Sequence, residues 1–141
     1  MRSSGTGTGA VLEGMILPAL EAGGYRCERQ VRIGTRPGGR KHVVDLVATA
    51  PGGGRFLVSV KWQQSGGTAE EKVPYEVICL AEAVRARPGE FERAYLVLGG
   101  AGWRLRDFFV GGGLDPHLVH ASLVRIRTLE QFIAESNRAR L

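Results

Sequence analysis

The stretch HVVDLVATAPGGGRFLVSVKWQ (residues 42–63) holds two apolar runs, each interrupted by a single charge. Asp45 breaks VVDLVA, and sixteen positions later Lys61 breaks VSVKW. The intervening APGGGR (50–55) is rich in turn-forming residues, so the two runs predict neighbouring strands. A two-residue period puts Leu57, Ser59, Lys61 and Gln63 on one face of the second strand and Val58, Val60 and Trp62 on the other. The first face is polar at its end; the second is core. A carboxylate on a buried strand is costly unless it is paired or holds a cation, so Asp45 requires something to neutralise it. A structural ion pair with Lys61 on the adjacent strand is one way to do so.

Upstream, Tyr25, Cys27, Val31 and Ile33 alternate with Arg26, Glu28, Gln30 and Arg32, the pattern of a half-exposed strand, and GTRPGGR (34–40) breaks the chain before residue 42. Before that strand, Val11, Leu12, Met15, Ile16, Ala19 and Leu20 mark an amphipathic helix over residues 10–22, kinked by Pro18 and ended by Gly23 and Gly24. Downstream, Thr68 and Glu71 form a capping-box pattern ahead of a second helix with Val77, Leu80, Ala81 and Val84 on one face. AYLVL (94–98) reads as a short buried strand, followed by a short helix near residues 103–110 and a strand near 123–127. Thr128 with Gln131 is a further capping-box pattern opening a final helix.

The predicted order is therefore α-β-β-β-α-β with a β-α tail: an α/β fold with a mixed sheet flanked by helices. Residues 1–9, rich in Ser, Thr and Gly, are expected to be a flexible arm, and residues 10–141 a single domain. The Gly5, Gly7, Gly9 spacing mimics a phosphate loop, but no strand precedes it and no lysine follows in place.

Composition sets broad limits. At 141 residues, 43% hydrophobic and 23% charged, the chain has room for one core and none for separate cofactor and substrate domains. No apolar stretch approaches a membrane span and the N-terminus lacks the apolar core of a signal peptide, so a soluble, cytoplasmic protein with no membrane partner is expected. Cys27 and Cys79 have no neighbours at zinc-ligand spacing and read as buried thiols. A net charge of +5 favours a polyanionic partner, through counterion release at each neutralised phosphate. Of the 19 basic residues only Lys41, Lys61 and Lys72 are lysines. Each raises the question of what a compact ammonium does there that a guanidinium cannot.

An acid and a lysine on adjacent strands of a meander, with helices in this order, resemble the PD-(D/E)XK nuclease superfamily over roughly residues 10–98. The resemblance implies a restriction-endonuclease-like core. In that pattern an Asp lies on the second core strand and an acidic residue stands two before a Lys on the third; Asp45 and Lys61 match the ends, and Ser59 departs from the middle. Some restriction enzymes of the superfamily share the Ser-Val-Lys arrangement and take the missing carboxylate from the following helix. Here that implies Glu76, fifteen residues after Lys61, with Glu70 and Glu71 as other candidates. The segment GAVLEGMILPALEAGGY (9–25) is similar to the first helix of the archaeal Holliday-junction resolvases, which implies that Glu13 reaches the site.

Phosphodiester hydrolysis needs a nucleophilic water, a Lewis acid on the non-bridging oxygen and charge compensation at the leaving oxygen. The resemblance assigns Mg²⁺, with Mn²⁺ as substitute, to Asp45, Glu76 and Glu13, and the attacking water to Lys61. Gln63, two past Lys61, could bond a metal-bound water or the scissile phosphate, or cap the end of its strand. Arg36, Arg40 and Lys41 on the GTRPGGRK turn are candidate phosphate contacts, and His42 could join them. Trp62 and Trp103 read as core residues. The expected function is a metal-dependent endonuclease acting on DNA, often homodimeric in this superfamily; the alternative is a DNA-binding or assembly module that keeps the fold without catalysis.

Overall fold

The computed structural model describes residues 5–141. The first four residues of the expected arm lie outside them; Gly5–Gly9 forms a wide helical turn. A second wide turn, Leu12–Ile16, runs into α1, Leu17–Ala22. The change of pitch has a local cause: Pro18 has no N–H to offer the preceding turn, and the N–H of Leu17 reaches back five residues to the Leu12 carbonyl.

Strands β1 (Arg26–Thr35), β2 (Lys41–Thr49) and β3 (Arg55–Trp62) form an antiparallel meander. Helix α2 (Ala69–Ala86) then crosses to β4 (Arg93–Gly99), parallel to β3, and α3 (Arg106–Val110) crosses to β5 (Val124–Thr128), parallel to β4. Helix α4 (Leu129–Asn137) closes the chain, and the sheet order is β1-β2-β3-β4-β5.

Both faces of the sheet are covered, so the expectation of one core face and one increasingly polar face is too simple. Leu57, Val47, Leu96 and Ile126 pack with Val73, Val77, Leu80 and Phe109 of α2 and α3. Phe56, Val58, Val60, Tyr95 and Val97 pack on the opposite side with Leu12, Ile16, Leu20 and Phe132. The polarity of Ser59 and Lys61 therefore lies under a helix, and α2 must answer it.

Two features of the sheet position the site. The β2–β3 ladder ends at Leu46 opposite Val58, while β3 stays paired with β4 as far as Trp62 opposite Gly99. Beyond Leu46 the two strands fork, and the backbone N–H of Val60 donates to Asp45 Oδ2 at 2.8 Å in place of a ladder bond. On the other side of β2, Gln30 lies opposite Asp45 with φ of +52°, the left-handed region. There the alternation of faces slips: Val44 and Val47, an odd number of residues apart, join the same core cluster.

The two capping boxes have different outcomes. Thr128, with extended backbone (φ −69°, ψ 162°), accepts from the Gln131 N–H while Gln131 caps Thr128 in return. Thr68 has φ −97° and ψ 2°, which turns its hydroxyl away from the cap position, and no side-chain cap forms. Instead Gln63 Oε1 accepts from the Ala69 N–H at 3.1 Å.

Candidate active site

The strand fork, the first half of α2 and the β1–β2 hairpin bring four chemically distinct side chains together. On the α2 side of β3, Ser59 is buried and Lys61 partly exposed. Above them Glu76 of α2 is only 6% exposed, and its carboxylate is turned down onto the strand. The Ser59 hydroxyl donates to Glu76 Oε2 at 3.0 Å, and Lys61 Nζ lies 3.9 Å from Oε1. Oε1 also accepts from Arg36 Nη1 at 3.1 Å, from the hairpin. Burial alone would raise the Glu76 pKa, but the charges of Lys61 and Arg36 and the bonds from Arg36 and Ser59 hold it below the usual glutamate value.

Asp45 has the opposite balance. Burial raises its pKa and Glu76 adds to the rise, while the Val60 N–H, Lys61 and a hydrogen bond from Gln30 offset this only in part. Asp45 is thus less compensated than Glu76. It opens onto a cavity of about 770 Å³ lined also by Arg29, Gln30, Val60, Lys61, Trp62 and Lys72, with Gly7 to Gly9 at its edge. Lys61 and Lys72, two of the three lysines, therefore share this cavity.

Three residues take other positions than the sequence suggested. Glu13 is not brought to Asp45 and Glu76: it pairs with Arg29 on the exposed surface, since it lies on the solvent side of its wide turn between the buried Leu12 and Ile16. Gln63 is fully engaged in local structure, donating from Nε2 to the Gly102 carbonyl at 2.8 Å while its Oε1 caps α2. Both ends of its amide thus hold the loop and the helix rather than facing Asp45 or Glu76. Arg36 is turned inward onto Glu76, whereas Arg40 and Lys41 stay exposed.

Glu70 accepts from the Leu105 N–H, which ties α2 to the start of α3. Trp103 is buried, with Nε1 donating to the Gly99 carbonyl; Trp62 is 37% exposed at the cavity. Cys79 is buried and Cys27 partly so, with burial and Glu21 pushing the Cys27 thiol up to about 11.

Sequence reasoning passed over two contributors and undervalued a third. Gln30 reads as the polar half of an ordinary strand, and nothing in its neighbours announces a left-handed backbone. Lys72 carried one usable signal, its rarity. His42 is 1% exposed, with neither ring nitrogen hydrogen-bonded, and senses Arg36, Glu76 and Lys61. Burial and the charge of Arg36 depress its pKa.

Among the described residues no three His, Cys, Asp or Glu side chains are grouped as a metal cage. Two carboxylates nonetheless fit Mg²⁺, which keeps several waters and takes one or two carboxylates together with substrate phosphate. They do not fit a structural zinc, which needs four protein ligands. The under-compensated Asp45 is the donor that a cation would relieve most.

Among the described residues no helix is long and apolar enough to cross a membrane. No curated protein sequence matches the chain. Among solved structures, a protein of unknown function, AF1548, is similar with a TM-score of 0.50 and 11% identity over 86% of this chain and 62% of that one. A repair endonuclease from Pyrococcus abyssi aligns with a TM-score of 0.43 and 15% identity, over 86% of this chain and 44% of its own. The chain thus spans less than two thirds of either neighbour. A family model described as a PD-(D/E)XK nuclease superfamily domain matches residues 4–140, nearly the whole sequence. With Asp45 and Lys61 at a strand fork and a helix-borne glutamate against Ser59, the chain belongs to the PD-(D/E)XK nuclease superfamily.

Proposed function

We propose that the protein is a metal-dependent endonuclease that hydrolyses DNA phosphodiester bonds, with Asp45 and Glu76 as ligands of Mg²⁺ or Mn²⁺. The observation that supports this reading is the position of Lys61, which shares a cavity with Asp45 and lies 3.9 Å from Glu76 Oε1. When bound, the ion would polarise the scissile phosphate and lower the pKa of a coordinated water.

The protein's own groups do the rest. The Val60 N–H orients Asp45, and the Ser59 hydroxyl does the same for Glu76. Lys61 reaches the cavity as a positive point charge that orients the attacking water and offsets charge building on the phosphoryl oxygens. Lys72 and Arg29 line the same cavity, and Arg40 and Lys41 extend the basic surface along the hairpin, where they hold the phosphate backbone. A homodimer would bring two such sites to the two strands of a duplex.

The test is incubation with supercoiled and branched DNA in Mg²⁺, in Mn²⁺ and in EDTA. Nicking that needs the ion and is lost in Lys61→Ala supports the reading; nicking that survives the substitution, or none at all, rejects it. A second reading, a DNA-binding module without catalysis, draws on the crowding of Glu76, whose oxygens accept from Ser59 and Arg36 beside Lys61. It is favoured if calorimetry detects salt-sensitive DNA binding but no uptake of either ion.

A further inference from the structure

The Glu76 carboxylate is already shared with protein cations, and one of its oxygens carries an arginine. Arg36 Nη1 lies 3.1 Å from Oε1, the oxygen that Lys61 also approaches, and Oε2 is taken by Ser59. A divalent ion arriving at Glu76 competes directly with the guanidinium for Oε1. The origin of that guanidinium is therefore informative.

Arg36 belongs to the hairpin that also presents Arg40 and Lys41 to solvent. Two side-chain hydrogen bonds tie the hairpin turn to α2: that of the Arg36–Glu76 pair and that of the Tyr75 hydroxyl, which donates to the Pro37 carbonyl at 2.7 Å. Its turn closes on itself, with the Arg36 N–H bonded to the Arg40 carbonyl and the Gly39 N–H to the Arg36 carbonyl. It is thus a preformed unit, with Gly34, Gly38 and Gly39 in positive-φ conformations around it. The Arg36 side chain is 21% exposed and has five N–H donors, of which Glu76 takes one.

We propose that Arg36 is a positioning residue that latches Glu76 until nucleic acid arrives, so that metal binding at this site is coupled to substrate binding. This rests on the endonuclease reading above. A backbone phosphate drawn in by Arg40 and Lys41 offers Arg36 a bidentate anion in place of its single bond to Glu76. Transfer of Arg36 to the phosphate frees Oε1 for the ion, and the ion in turn removes the partner that holds Arg36 away from DNA. Each ligand therefore raises the affinity of the other, as linkage requires. Without DNA, the neutralised Glu76 leaves Asp45 as the main available carboxylate, and the ion binds weakly.

Calorimetric titration of Mn²⁺ into the full chain tests this, with and without a short duplex whose phosphorothioate linkages slow cleavage. Arg36→Gln without DNA is expected to bind Mn²⁺ about tenfold more tightly than the wild type, with that gain abolished by adding Asp45→Asn. The duplex should tighten Mn²⁺ binding in the wild type and leave Arg36→Gln unchanged, and Arg36→Lys should restore part of the coupling. Equal Mn²⁺ affinity in wild type and Arg36→Gln, or no effect of DNA on the wild type, overturns the latch and leaves the nuclease assignment standing if ion-dependent nicking persists. Absence of ion binding in every form, with and without duplex, removes the endonuclease reading and the latch with it. Thermal melting of each variant separates these outcomes from loss of fold.

Discussion

Asp45 is held where its charge is expensive. Its folded pKa is raised mainly by burial, so the unfolded chain gives up this proton first as pH climbs through the range near 4. Stability contributed through Asp45 therefore falls with rising pH until the folded carboxyl also ionises. Glu76 has the reverse sign: its pKa is depressed despite burial, so its contribution is present above the ordinary glutamate value and lost as pH drops through the lowered one. Asp45→Asn keeps an oxygen for the Val60 N–H and removes the buried charge, and is expected to raise stability at pH 7 by about 1 kcal/mol while abolishing cleavage. Equilibrium urea unfolding beside a nicking assay checks both halves; a clear loss of stability would instead mark a structural ion pair with Lys61. His42 offers a companion test. Its two unpartnered buried nitrogens cost free energy that an apolar side chain of similar size does not, so His42→Leu should raise the unfolding free energy by about 1 kcal/mol.

At the scale of elements, the connection from β3 to α2 decides whether Glu76 arrives over Ser59, and Gln63 governs that connection. Its side chain caps α2 and binds the Gly102 carbonyl, and its own carbonyl accepts from the Gly102 N–H. Gly100 is part of the same clip: at φ +90°, a Cβ there would lie 2.4 Å from the Gln63 oxygen. Gln63→Ala should cost about 1–2 kcal/mol from the lost cap and loop bond, yet retain most activity per folded molecule. A loss matching that of Lys61→Ala, in a variant that melts normally, would return Gln63 to a role at the phosphate. The elements themselves were legible because their signals are local: period-two alternation in β1, turn-bounded apolar runs in β2 and β3, and the Thr128–Gln131 box. The α2 cap was not, because the acceptor that takes the place of Thr68 comes from a strand end folded back onto the helix. Gln30 was hidden for a related reason, since its positive φ is imposed by the strand paired with it rather than by its own neighbours in sequence.

For the whole molecule, charge counts and charge positions carry different information. The net charge of +5 favours a polyanion from the sequence alone, but it cannot say that Arg36 and Arg29 face carboxylates while Lys72 faces the Asp45 cavity. Only the folded chain sorts its cations into those neutralised within the protein and those available to phosphate. Lys61 and Asp45 were identifiable because each interrupts an apolar run; Lys72 interrupts nothing and owes its place to the docking of α2. Exposed ammonium groups that contact DNA backbone each release counterions, steepening the fall of affinity with salt. Lys72→Ala should therefore weaken DNA binding uniformly across sequences and lower the magnitude of the slope of log affinity against log salt by about 1. Arg85→Ala, remote from the cavity and paired with Glu82, should leave that slope unchanged. Fluorescence anisotropy of a labelled duplex over a series of salt concentrations reads both, and equal slopes for wild type and Lys72→Ala would mean that the DNA backbone does not run along this cavity.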